Sequence, residues 1–140
     1  MKKILVVTLA TFMLLNITGC KKEEQKNNGD QNSSIIDDSG EKKNNSEELN
    51  KEKTFGDYKV ADISLITDKE QNVFMATIEN ISSNPTSEKL MYITFLDNNN
   101  SEIYKMAVFV KALQPKESID IKGNISIDVI NSYNFKLTDK

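Results

Sequence analysis

From Tyr58 to Leu137 the apolar residues come in short runs, and polar clusters of Asn, Asp, Ser and Lys cut those runs at close intervals. Period-2 alternation of this kind marks half-buried strands, and no stretch holds a 3.6-residue period long enough for a helix of ordinary length. The pattern predicts strands over 58–66, 73–80, 89–97, 102–111, 117–125 and 128–137. In the second, Phe74, Ala76 and Ile78 share a face. The third is richest in the β-branched and aromatic residues that fit a pleated surface. Polar turns separate them: 67–72, Asp97-Asn98-Asn99-Asn100-Ser101, and Leu113-Gln114-Pro115-Lys116. Ser82-Ser83-Asn84-Pro85 is a breaker. Asn at the second of these turns tolerates left-handed backbone better than most residues. Six closely spaced strands predict a small all-β domain, an antiparallel immunoglobulin-like β-sandwich over 54–140. Asp128–Ser132 has a helical turn as its alternative, too short to be a helix on its own. The region has neither Trp nor a Cys pair, so aliphatic and aromatic packing alone must hold it.

Upstream of that domain the chain reads as an address and a tether. Lys2 and Lys3 precede an apolar run, Ile4–Leu15, whose length suits a secretory signal core of roughly 7–15 residues. It is short for a spanning helix, which needs about 20. Residues 1–19 therefore read as a signal peptide. It closes on Ile17-Thr18-Gly19-Cys20, which resembles the bacterial lipobox: an aliphatic residue, two small residues, then Cys. The resemblance implies that the Cys20 thiol becomes a thioether to diacylglycerol and that cleavage falls just before it. Cys20 is the single Cys of the chain, so lipidation accounts for the whole cysteine content. Residues 20–53 hold only Ile35, Ile36 and Leu49 as large apolar side chains, and neither period persists. They read as a disordered linker.

Composition removes most other functions. The formal net charge is −3, and loss of Lys2 and Lys3 with the signal peptide leaves −5 in side chains. A chain that is acidic and has no Arg is poorly suited to phosphate backbones, so nucleic acid is not expected as a partner. For the same reason the membrane contact is expected through the Cys20 lipid rather than through attraction to anionic headgroups. With no His and one Cys, the usual zinc sets and the Ser-His-Asp and Cys-His arrangements cannot form within the chain. The Asp97–Glu102 run is oxygen-rich. As a calcium loop it would need Gly where Glu102 stands and Glu where Val108 stands, so it reads as a hairpin turn. The 12 acidic residues of 54–140 are spread over turns and outward positions, and nothing in the sequence pairs two of them in a cleft. No catalytic residue, cofactor or metal is expected, and the chain is not expected to be an enzyme.

Three segments carry a family resemblance. Phe74-Met75-Ala76-Thr77-Ile78-Glu79-Asn80 is similar to the Val-x-Gly-x-Val-x-Asn strand of FxLYD-type domains. Ile93-Thr94-Phe95-Leu96-Asp97 stands where that family has Phe-x-Leu-Tyr-Asp, and Leu113-Gln114-Pro115-Lys116-Glu117 resembles its Leu-x-Pro-Gly-Glu turn. The order is kept over roughly 60–137. Ala76, Ile93, Leu96 and Lys116 depart from the pattern. The resemblance implies a β-sandwich module of bacterial lipoproteins, with binding or structural roles and no implied activity. Asn80 and Asp97, polar residues at strand ends, are expected to cap backbone groups.

One face stands out. If Met91, Ile93 and Phe95 point inward, then Leu90, Tyr92, Thr94 and Leu96 point outward. A two-residue turn at Asn99-Asn100 would pair Leu96 with Ile103 and Tyr92 with Ala107. Leu90, Tyr92, Leu96, Ile103, Ala107 and Phe109 would then share one face, more apolar than solvated sheet requires. Three ordinary explanations stand beside a binding face: a reversed inside and outside, a register shifted by one, or cover from loops or the Tyr58 segment. The expectation is a lipid-anchored lipoprotein on the extracytoplasmic face of the cell membrane. The richness in Lys, Asn and Ile without Arg suggests a Gram-positive source. Its domain is expected to serve as an adaptor that contacts another envelope protein through a sheet face or edge. The alternative is a small-ligand or ion-binding accessory domain, which would need a concave pocket with converging polar groups.

Overall fold

The computed structural model describes residues 34–139. The expected signal peptide, Cys20 and the linker as far as residue 33 lie outside the described residues. Among the described residues no helix is long and apolar enough to cross a membrane.

The elements in order are β1 (Ser34–Ile36), β2 (Lys42–Asn44), α1 (Glu47–Asn50), β3 (Lys53–Phe55), β4 (Tyr58–Asp68), β5 (Gln71–Asn80), β6 (Lys89–Leu96), β7 (Glu102–Val110), β8 (Ser118–Ile125) and β9 (Asn134–Asp139). Every pairing is antiparallel. One sheet runs β1-β2-β4-β5-β8, with β3 also on β4, and the other runs β7-β6-β9. The chain crosses between sheets after β5, after β7 and after β8. The two sheets thus enclose one core, and the predicted antiparallel sandwich is the fold observed.

All six predicted strands form. The last starts at Asn134 instead of 128, because Ser132 N–H bonds the Val129 carbonyl in a turn. The first shows why simple alternation is not enough. Tyr58 and Val60 are buried, yet so is Leu65, which has the opposite parity. A bulge between Ala61 and Ser64 sets Asp62 and Ile63 against one residue of β5, and Asp62 sits at φ 51°. The extra residue flips the strand over and returns the later apolar residues to the core. On β5, Phe74, Ala76 and Ile78 are buried as expected. Phe74 meets Phe95 and Phe135 edge-on, with centroids 5.2 Å and 5.7 Å away, and so ties the two sheets together.

The expected linker needs correction. Residues 34–53 belong to the folded unit, so the boundary drawn at Thr54 falls inside it. The β1–β2 hairpin adds to the sheet through Lys42↔Thr67 and Lys43↔Ile66. Ser46 caps α1 by accepting the Leu49 N–H, and Leu49 enters the core with no exposed surface. Asn44, 1% exposed, donates through Nδ2 to the Ile130 and Ser132 carbonyls at 2.7 Å and 2.8 Å. Ser46 Oγ donates to the Tyr133 carbonyl, and Ser34 Oγ to Asn131 Oδ1. The segment is clasped onto the β8–β9 connection by polar groups. Runs of three strand residues cannot show a period, and a clasp of Asn and Ser leaves no apolar pattern to read.

Candidate functional site

β6 is the centre of the smaller sheet, with β7 and β9 at its edges. Met91, Ile93 and Phe95 are buried on the inner side. The predicted inside and outside are therefore the right way round for this strand. Its other side faces away from the partner sheet and carries Leu90, Tyr92, Thr94 and Leu96.

The pairing of this hairpin follows the expected register over most of its length: Tyr92 lies opposite Ala107 and Leu90 opposite Phe109. It departs at the turn, where Leu96 pairs with Glu102 and not with Ile103. The Asp97 carboxylate accepts the Asn99 and Ser101 N–H groups, each at 2.8 Å. Asn100 N–H bonds the Asp97 carbonyl, and Asn100 takes φ 61°. The turn is thus a three-residue loop closed by Asp97 N–H on the Ser101 carbonyl. A bulge between Phe95 and Leu96, opposite Ile103, absorbs the difference. Asp97 has the capping role expected of it, and its oxygen is committed to backbone amides. Among the described residues no group of three or more His, Cys, Asp or Glu is placed to hold a metal ion.

The predicted patch is divided as a result. Phe109 is 60% exposed, Leu90 46% and Ile103 37%, and Tyr92 is half-buried. Leu96 is withdrawn at 7%, because the β8–β9 connection reaches β6 there and Tyr133 N–H bonds the Leu96 carbonyl. Leu96 therefore drops out of the exposed face. Between the two ends Thr94 is fully buried, with Lys105 and Lys136 as its cross-strand neighbours. The Lys105 ammonium lies 5.8 Å from the Tyr92 ring centroid, and it is the charged border of the apolar end. Leu90, Ala107 and Phe109 remain exposed as one cluster around half-buried Tyr92. The pairing rule found it, whereas the loss of Leu96 depends on a distant connection that no local pattern reports.

A hollow of about 440 Å³ opens at the end of the sandwich where β4 starts, floored by Phe55, Met91 and Leu137. Tyr58 forms part of its wall. That side chain is 2% exposed and its hydroxyl has no hydrogen-bond partner among the described residues. Lys89 lies 5.1 Å from the Tyr58 centroid and pairs with Asp139 at 3.3 Å. No local pattern announces this hollow, since its residues come from β3, β4, β6, β9 and the turn between β3 and β4.

No family model matches the chain, and no curated protein matches it. Among solved structures it is similar to a DUF1425 family member from Shewanella sp. pv-4, in a crystal structure. The identity is 12%, the TM-score 0.38, and the match covers 76% of this chain and 94% of that one.

Proposed function

We propose that this chain is a non-enzymatic, lipid-anchored lipoprotein of the cell envelope whose sandwich domain binds a partner protein through the outer face of its smaller sheet. The observation that carries the binding half is the exposed pair Leu90 and Phe109 beside half-buried Tyr92, on the side of the smaller sheet that faces away from the partner sheet. Aromatic and aliphatic side chains gathered at a flat, solvated position are what an interface core uses. The finer reading, an FxLYD-type module, gains support from how its separate motifs meet. Asn80 and the Leu113–Glu117 turn are hydrogen-bonded to each other at several points. Lys116 also adopts φ 67°, the left-handed region that explains Gly at that place in the family pattern.

Small-ligand binding is the second reading, and the hollow beside Tyr58 is where it would act. The outer face is preferred because Lys89 and Asp139, the opposed charges at that hollow, already neutralise each other.

Two substitutions in the full chain test the two halves. Cys20→Ser should abolish incorporation of labelled fatty acid and release the chain from the membrane fraction. Retained label on the variant would sink the anchor. For the face, the full chain is used as bait against solubilised envelope from the native organism. Leu90→Lys with Phe109→Lys should remove the retained partner, with unfolding free energy unchanged to within about 0.5 kcal/mol, as for exposed positions generally. A partner retained equally by the variant would move the binding site away from this face.

A further inference from the structure

We infer that the partner of this face includes a second copy of the chain, joined edge to edge through β7; the inference rests on the binding role proposed for the outer face. β7 is the longest edge strand among the described residues, nine residues against eight in β8, six in β9 and three in β1. Among the described residues it pairs only with β6, so one side of its backbone has no strand partner there. An edge of this kind is a template for a further strand.

Its side chains select the pairing. A two-fold axis perpendicular to the sheet keeps both outer faces on the same side, so outward residues must oppose outward residues. Centred on Met106, the pairing sets Ile103 against Phe109 of the second copy and Lys105 against Ala107. Both large exposed apolar side chains of β7 are then set against each other at once, and no like charges meet. Centred on Lys105, the pairing would oppose the two Lys105 ammonium groups, and like charges directly opposite destabilise a sheet. Centred on Ala107, it would place Lys111 against Ile103 and Lys105 against Phe109. Of these three, only the Met106 centre sets the two large exposed apolar side chains of β7 against each other without opposing like charges. The strand's limits agree with it: the bulge at Ile103 bounds the regular pairing on one side and the strand end at Val110 bounds it on the other. Leu90, opposite Phe109 on β6, extends the joined apolar strip.

Oxidative cross-linking in native membranes tests this with the full chain in two differently tagged forms, one Ile103→Cys and the other Phe109→Cys. Both positions are exposed, so the fold should survive, and an unchanged thermal midpoint checks it. In the pairing above the two thiols are directly opposite. Either variant alone places its own two thiols six residues out of register, roughly 20 Å apart. The mixed pair should give a disulfide-linked dimer that each variant alone does not, with the unsubstituted chain, which has only Cys20, as background. Equal cross-linking in all combinations, or none in the mixed pair, would overturn self-pairing. If cross-linking fails while capture still depends on Leu90 and Phe109, the partner is a different protein and the binding role stands. If both fail, the face has neither role.

Discussion

Leu49→Ala should destabilise the domain by about 2–5 kcal/mol, the range for emptying a buried leucine site. The full chain would show it as a lower denaturant midpoint with an unchanged slope. Leu49 has no exposed surface and packs with the core from a helical turn of only four residues. Deleting residues 34–53 should have a larger effect still, leaving no cooperative unfolding transition. The deletion removes Leu49, both Asn44 bonds to the β8–β9 connection, and the β1–β2 hairpin that pairs with the end of β4. A domain of this size has only about 5–15 kcal/mol to lose. Ile36→Ala is the control: Ile36 is 73% exposed, and its loss should change stability by no more than about 0.5 kcal/mol. If Leu49→Ala behaved like Ile36→Ala and the shortened chain still unfolded cooperatively, residues 34–53 would be an appendage and the boundary at Thr54 would be restored.

What could be read in advance follows from where each signal resides. Strand existence was legible wherever eight or more residues alternated, as in β5, because burial of Phe74, Ala76 and Ile78 is a local pattern. Inside and outside on β6 were legible for the same reason. The clasp at Asn44 was not, since a buried Asn looks like a linker Asn until its carbonyl partners, 86 and 88 residues away, are known. The bulges were also hidden. Asp62 at φ 51° carries no Gly to announce it, and it alone reconciles buried Val60 with buried Leu65. In the candidate face, Leu90, Tyr92 and Phe109 depended on a register set within one hairpin. Leu96 depended on Tyr133, brought in by a different connection. The readable part of both fold and face is therefore the part decided by neighbours in sequence.

Asn80 is the exception that sequence reasoning did reach, and its substitution separates capping from mere packing. It is fully buried and ends β5. Its Nδ2 donates to the Asn84 and Leu113 carbonyls at 2.8 Å and 3.1 Å, and its Oδ1 accepts from Ser82 N–H and Oγ. Its backbone N–H bonds the Glu117 carbonyl, and its carbonyl accepts the Lys116 N–H. One side chain thus fixes the breaker 82–85 to the turn at 113–117. Asn80→Ala should lose about 2–3 kcal/mol, four side-chain hydrogen bonds at roughly 0.5–0.8 kcal/mol each. Asn80→Asp should lose more at pH 7, about 3 kcal/mol or above, because a buried carboxylate would face two carbonyl oxygens with no donor between them. That loss has a pH signature. Burial and the carbonyls raise the introduced carboxyl's folded-state pKa above its unfolded value near 3.9. The protonated form can donate where Nδ2 did, so stability should be regained below about pH 4 and lost again as pH rises through the folded-state value. Unfolding curves of both variants from pH 3.5 to 7, each referred to the unsubstituted chain, read this directly. A variant carboxyl with no more pH dependence than Asn80→Ala would mean that the site relaxes open to water and that the cap does not hold the two turns together.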